Sequence, residues 1–106
     1  VPGQSNADEW VVVTYADTEA KFSTHSMDAL EETELEADEA LSEAGLGMID
    51  GNEIGDHSYQ LFFVGSDRHR MWGVLEPILE KAPIRWSRVE LFISIDKTAD
   101  EVILPR

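Results

Sequence analysis

The run Trp10-Val11-Val12-Val13-Thr14-Tyr15 is β-branched and aromatic without a breaker, which at that length predicts a strand. Beyond the polar stretch that begins at Asp17, Ser26 is placed to cap a helix from Met27 to Ala44, with Asp28, Glu31 and Glu32 near its positive end. Met27, Leu30, Ala37, Leu41 and Ala44 form a narrow apolar stripe interrupted by Glu34, and Gly45 and Gly47 stop the helix. Leu46 to Ile49 and Tyr59 to Val64 then flank Asp50-Gly51-Asn52-Glu53-Ile54-Gly55-Asp56, the pattern of an antiparallel hairpin with a glycine-bearing turn or bulge. Met71, Val74, Leu75, Ile78, Leu79 and Ala82 recur at i, i+3, i+4 and predict a second helix capped by Ser66 or Asp67. Pro77 lies inside it and cannot donate to the Gly73 carbonyl, so a kink or a late start is expected, and Pro83 marks the end. Val89, Leu91, Ile93 and Ile95 alternate with Glu90, Phe92 and Ser94 as a strand does, and Val102 to Leu104 adds a short edge strand.

The order β-α-β-β-α-β, with the terminal strand as an addition, predicts an α+β fold. It resembles a ferredoxin-like two-layer sandwich, with both helices on one face of an antiparallel sheet. Residues 1–7 read as a flexible lead-in and 8–106 as one domain. Val11, Val13, Tyr59 or Leu61, Phe63, Val89, Leu91 and Ile93 are expected under the helices. Strict alternation then turns Trp10, Val12, Phe62, Val64 and Phe92 to the opposite face. That face is too apolar for water alone. It implies a partner surface, with a homodimer as one form, unless Ile84, Trp86 or the segment Val102 to Leu104 folds over it.

Charge changes the picture more than composition does. The 106 residues carry 22 acids against 8 Lys and Arg, a formal charge of −14. Residues 1–66 hold 15 of the acids and a single base, Lys21, whereas 67–106 hold 7 of each sign. A surface so short of cations is unsuited to nucleic acid, even though related sheets stack bases on aromatics. Zero cysteines exclude a disulfide framework, a thiolate zinc site and a cysteine nucleophile. No apolar stretch approaches the roughly 20 residues that span a bilayer, so no membrane partner is expected. The chain begins at Val1 and a removed leader stays open, but nothing has the order of a signal peptide. The cytoplasm is the default location.

The acids concentrate on the first helix, where Asp28, Glu31, Glu32, Glu34, Glu36, Asp38, Glu39 and Glu43 meet no Lys or Arg. Such a strip is a docking face for a basic protein partner, because a concentrated field speeds encounter and rejects acidic competitors. The same acids serve equally for solubility or adaptation to a salty cytoplasm.

Candidate chemistry elsewhere is thin. Asp50, Asn52, Glu53 and Asp56 cluster with His57 and invite a ligand site, with His69 as a further member. An EF-hand starting at Asp50 fails, since Ile54 and Leu61 fall where oxygen ligands are required. No metal or other cofactor is expected. Arg68, His69 and Arg70 form a basic trio that can clamp an anion or pair with the acidic first helix. His25 beside Thr24 and Ser26 lacks any oxyanion feature. No nucleophile elbow or phosphate-cradling loop is present, so a noncatalytic interaction or regulatory domain is expected over a small-ligand binder or minor enzyme.

Residues Ala44 through Pro83 resemble a group of small uncharacterised bacterial proteins. The likeness rests on the Asp50-Gly51-Asn52-Glu53-Ile54-Gly55 loop, the Tyr59 to Gly65 strand, Asp67 and the Val74-Leu75-Glu76-Pro77-Ile78-Leu79 helix. More distantly, the acidic composition and sandwich order are similar to the ribonuclease E regulator B family, whose members inhibit an RNA-degrading enzyme by binding it. The second resemblance is one of shape and charge, with no motif matched residue by residue.

Overall fold

Five strands and two helices follow one another along the chain in a computed structural model that describes residues 8–16, 24–55 and 58–105, with side chains in the first helix from Met27 onward. They are β1 (Glu9–Ala16), α1 (Thr24–Ala44), β2 (Gly47–Ile54), β3 (Ser58–Gly65), α2 (Arg68–Lys81), β4 (Arg88–Phe92) and β5 (Glu101–Ile103). The strands form one antiparallel sheet in the order β2-β3-β1-β4-β5. Both helices cover one face of it, giving an α+β sandwich of two layers. The lead-in at 1–7 lies outside the described residues, as do Lys21, Asp56 and His57.

β1 is the central strand because its side chains tolerate burial on both sides. Val11, Val12, Val13, Thr14 and Tyr15 are all buried. Val11, Val13 and Tyr15 face the helices beside Tyr59, Leu61 and Phe63 of β3 and Val89 and Leu91 of β4, so both Tyr59 and Leu61 belong under them. From above, α1 contributes Leu30, Ala37 and Leu41, and α2 contributes Met71, Trp72, Leu75 and Leu79. Trp72 meets Trp86 edge to face, with centroids 5.6 Å apart and planes at 89°. Each large side chain so buried stabilises the fold by about 1.5–3 kcal/mol.

The structure departs from the sequence expectation at four places. α1 starts at Thr24 instead of Met27, so Ser26 lies within the helix and the first turn holds no acid. Asp28 and Glu31 sit beyond the first turn as a result. β2 does not end at Ile49. Its backbone keeps pairing with the long apolar β3 through Ile54↔Tyr59, absorbing Asp50 as a bulge between Ile49 and Gly51. The turn therefore moves to Gly55, whose N–H donates to the Ser58 carbonyl at 2.8 Å. β4 stops at Phe92, because Ser94 to Lys97 turn the chain back to form β5. Ile93 and Ile95 are consequently 53% and 43% exposed, and Ile93 is not under the helices. α2 neither starts late nor breaks at Pro77, which lies on its exposed side.

The α1–β2 corner depends on glycine. Gly45, at φ 70°, ends α1 while its N–H donates to Ser42 and the Leu46 N–H to Leu41, both at 3.1 Å, which is the Schellman arrangement. Gly47 then pairs with Gly65 under the first turn of α2. A Cβ on Gly65 would lie 2.0 Å from the Leu46 carbonyl oxygen and 2.7 Å from the Met71 sulfur. Gly65→Ala is expected to destabilise by about 1–3 kcal/mol, as overpacking against backbone does. Gly73→Ala, which meets open space on the exposed side of α2, should be neutral or slightly stabilising by comparison. Urea unfolding of the two variants measures the difference.

Candidate functional site

The eight acids of α1 divide into two groups. At 3.6 residues per turn, Asp28, Glu32, Glu36, Glu39 and Glu43 fall within an arc of about 80° that points away from the sheet. All five are exposed, with Glu31 and the 70% exposed Leu35 beside them. The ion pairs among the described residues are Arg68–Glu9, Arg68–Asp100, His69–Glu101 and Arg88–Glu90, and none involves α1. The strip therefore keeps its self-repulsion, a few tenths of a kcal/mol per i, i+4 pair, and packing of the opposite side of α1 offsets it.

Glu34 and Asp38 are turned toward β2 instead. Asp38 Oδ1 accepts the backbone N–H of Ile49 at 2.8 Å, satisfying a donor on an edge strand. Glu34 accepts from the Tyr59 hydroxyl at 3.0 Å and from Asn52 Nδ2 at 3.2 Å. Glu34 breaks the apolar stripe because it ties the helix to two strands. Burial, then the charge and hydrogen bond of Glu34 and the charge of Glu31, push the Tyr59 phenol well above its ordinary value. Tyr15, whose ring lies 6.4 Å from that of Tyr59, is pushed up by burial alone. Its buried hydroxyl has no hydrogen-bond partner among the described residues.

At the other end of β3, Asp67 caps α2 by accepting the N–H groups of His69 and Arg70, each at 3.1 Å. The Arg68 guanidinium donates to Glu9 at 2.9 Å and twice to Asp100, at 2.8 and 3.0 Å. The backbone N–H of Arg68 also donates to Glu9, at 2.8 Å. One arginine thus joins α2, β1 and the approach to β5. The basic trio does not pair with α1 as expected, because the start of α2 meets β1 and β5; His69 lies 3.0 Å from Glu101. The bonds to Asp100 and Glu9 raise the affinity of Arg68 for its proton. Partial desolvation opposes ionisation of Asp100, but the Arg68 bond and charge and backbone donors hold its carboxyl below the usual carboxylate range.

The described members of the candidate ligand cluster, Asp50, Asn52, Glu53 and His69, are not brought together. Asp50 is the bulge residue, Asn52 leans on Glu34, Glu53 lies on the opposite face of β2, and Asp56 and His57 lie outside the described residues. His69 sits beyond the far end of β3, a strand of 8 residues that spans about 23 Å. Among the described residues no group of three His, Asp or Glu is placed to hold a metal ion. A cavity of about 270 Å³ does open between α2 and the chain after β5, over Trp86, with Glu76, Glu80, Arg85 and Leu104 at its rim. Its lining combines two carboxylates and a guanidinium with the apolar Trp86, Ile103, Leu104 and Pro105.

The helix-free face carries the expected Trp10, Val12, Phe62, Val64 and Phe92. Pairing registers arrange it in rows across the strands: Met48, Val64, Trp10 and Phe92; then Phe62, Val12, Glu90 and Val102; then Glu53, Gln60, Thr14 and Arg88. No described element packs over it, since Trp86 and Ile84 join the helix-side core and β5 extends the sheet instead of covering it. Met48 and Val102 escape the sequence reading because their side depends on the bulge and on the β4–β5 register. The Arg68 junction was equally hidden, since its partners are 59 and 32 residues away.

No family model, curated protein or solved structure matches this chain. Among the described residues no helix is long and apolar enough to cross a membrane.

Two outcomes test these contacts. Tyr15→Phe removes an unsatisfied buried hydroxyl and should leave stability unchanged or raise it by about 1 kcal/mol in denaturant unfolding. Because the folded value of Asp100 is depressed, its contribution is complete above about pH 3.9, the unfolded value, and disappears as pH falls through the folded one. The stability gap between the native chain and Asp100→Asn should accordingly be constant near neutrality and close on acidification. A gap that persists at low pH would contradict the Arg68 link.

Proposed function

We propose that this protein is a noncatalytic interaction or regulatory domain that presents α1 to a basic protein partner. The observation that carries the reading is the outward strip of Asp28, Glu32, Glu36, Glu39 and Glu43, exposed and without an ion pair to any described cation. A rigid helix spaces these charges along one line, and the core beneath it holds that line fixed. Such a strip complements a cationic groove, and the low-dielectric body behind it keeps the field directed outward. The resemblance in charge and shape to inhibitors of the ribonuclease E regulator B type points the same way.

The scaffold supports a ferredoxin-like reading. The order β2-β3-β1-β4 with both helices on one face fits that arrangement, and β5 is then an added edge strand. A small-ligand or enzymatic role around residues 50–56 has less support, since Asn52 and Glu53 lie on opposite faces of β2 and His69 lies beyond the far end of β3.

The test neutralises the strip in the combined variant Glu32→Gln, Glu36→Gln, Glu39→Gln, Glu43→Gln. A control removes as many acids elsewhere, with Glu76→Gln, Glu80→Gln, Asp96→Asn and Glu101→Gln. Capture of a basic protein at low salt should be lost in the first variant, kept in the second, and fade for the native chain as salt shortens the screening length below about 8 Å. Equal capture by both variants would remove the reading.

A further inference from the structure

We infer that the helix-free sheet face is the contact for a second copy of this chain, packed face to face about a two-fold axis that runs along the strands between β3 and β1. This is independent of the acidic docking of α1, which lies on the other layer.

The rows on that face decide the axis. A two-fold along the strands keeps each row level with itself and exchanges β3 with β1 and β2 with β4. Val64 then sits over the partner's Trp10, Phe62 over the partner's Val12, and Met48 over the partner's Phe92, so at these three positions a large side chain opposes a smaller or flexible one, while Glu90, ion-paired with Arg88 of its own chain, faces the partner's Gly51. In the polar row the same operation sets Glu53 against the partner's Arg88 and Gln60 against the partner's Thr14. Every contact is made twice, as an isologous interface requires. An axis across the strands would instead lay the Trp10 and Phe92 row on Thr14 and Gln60, burying polar groups against apolar ones. The face therefore matches itself in one orientation and opposes itself in the other.

Other routes to association are obstructed. β2 is an edge strand, but Asp38 already occupies the Ile49 N–H and the bulge at Asp50 interrupts its ladder. β5, the opposite edge, has 3 residues and leads to Pro105. Neither edge suits strand addition. The charge of −14 per chain does not forbid face-to-face pairing, because the acidic strips lie on the outer helical layers. With sheets about 10 Å apart, those strips are separated by more than one screening length at physiological salt. The four strands that overlap about this axis, β2, β3, β1 and β4, at their ordinary spacing and with three rows of side chains give a footprint of roughly 400 Å² per copy. A pair buries about twice that, roughly 800 Å², short of the ~1,000 Å² expected of a specific stable interface, so a weak dimer that forms only as concentration rises is expected.

Sedimentation velocity across the micromolar range tests this with four chains, each checked for folding by circular dichroism and urea unfolding. The native chain should shift from monomer to dimer as concentration rises. Glu53→Arg alone and Arg88→Glu alone each place like charges together twice, and each should weaken the dimer by roughly tenfold or more. The combined Glu53→Arg, Arg88→Glu variant should restore it, which a merely structural effect of either change would not do. A folded native chain that stays monomeric throughout overturns the interface. A dimer indifferent to both charge changes overturns this packing.

Discussion

β1 has to be apolar on both sides, and the rest of the molecule is arranged around that requirement. Pairing with β3 along its length and with β4 from Trp10 to Thr14 takes its backbone out of water on both sides, and all five residues from Val11 to Tyr15 are buried although only alternate ones meet the helices. Val11, Val13 and Tyr15 define the floor on which α1 and α2 pack. Val12, 2% exposed, stands at the centre of the opposite face, surrounded by Phe62 and Trp10. A strand with this sequence cannot occupy an edge, and its central position fixes where the two helices and the remaining strands go.

Negative charge is distributed according to the same division of sides. Along α1, the carboxylates that face outward meet only water and one another, while Glu34 and Asp38 serve as structural acceptors for Tyr59, Asn52 and the backbone of Ile49. One helix thus carries both the acids that hold it in place and those free to act on something else. Cations are placed differently. Arg68 is consumed in joining three elements, and Arg88 remains on the helix-free face beside Glu90.

Periodicity made most of the architecture legible, because the strand at Trp10 to Tyr15, the stripe of α1 and the ridge of α2 each follow from spacing alone. Where it failed, a long-range partner overruled a local signal. Asp50 to Ile54 carry turn chemistry, yet β3 offers a continuous ladder that pulls them into a strand. Ile93 and Ile95 continue the alternation of β4, yet the return of β5 ends the strand before them. The acidic strip could be read from composition, whereas which of its members bond inward could not, since Asn52, Tyr59 and Ile49 are distant in sequence. The placement of Glu53 and Arg88 in one row of the sheet depends on three pairing registers at once and has no local signature.

The three tryptophans are distributed so that the chain carries its own optical reporters. Trp72 and Trp86 sit edge to face within the helix-side core, where their emission follows the integrity of the packed interior. Trp10 stands alone among them on the other side of the sheet, next to Phe92 and Val64. Fluorescence of that single indole, isolated by replacing the other two with phenylalanine or read against them by quencher access, would register what touches the sheet while the buried pair registers whether the fold is intact.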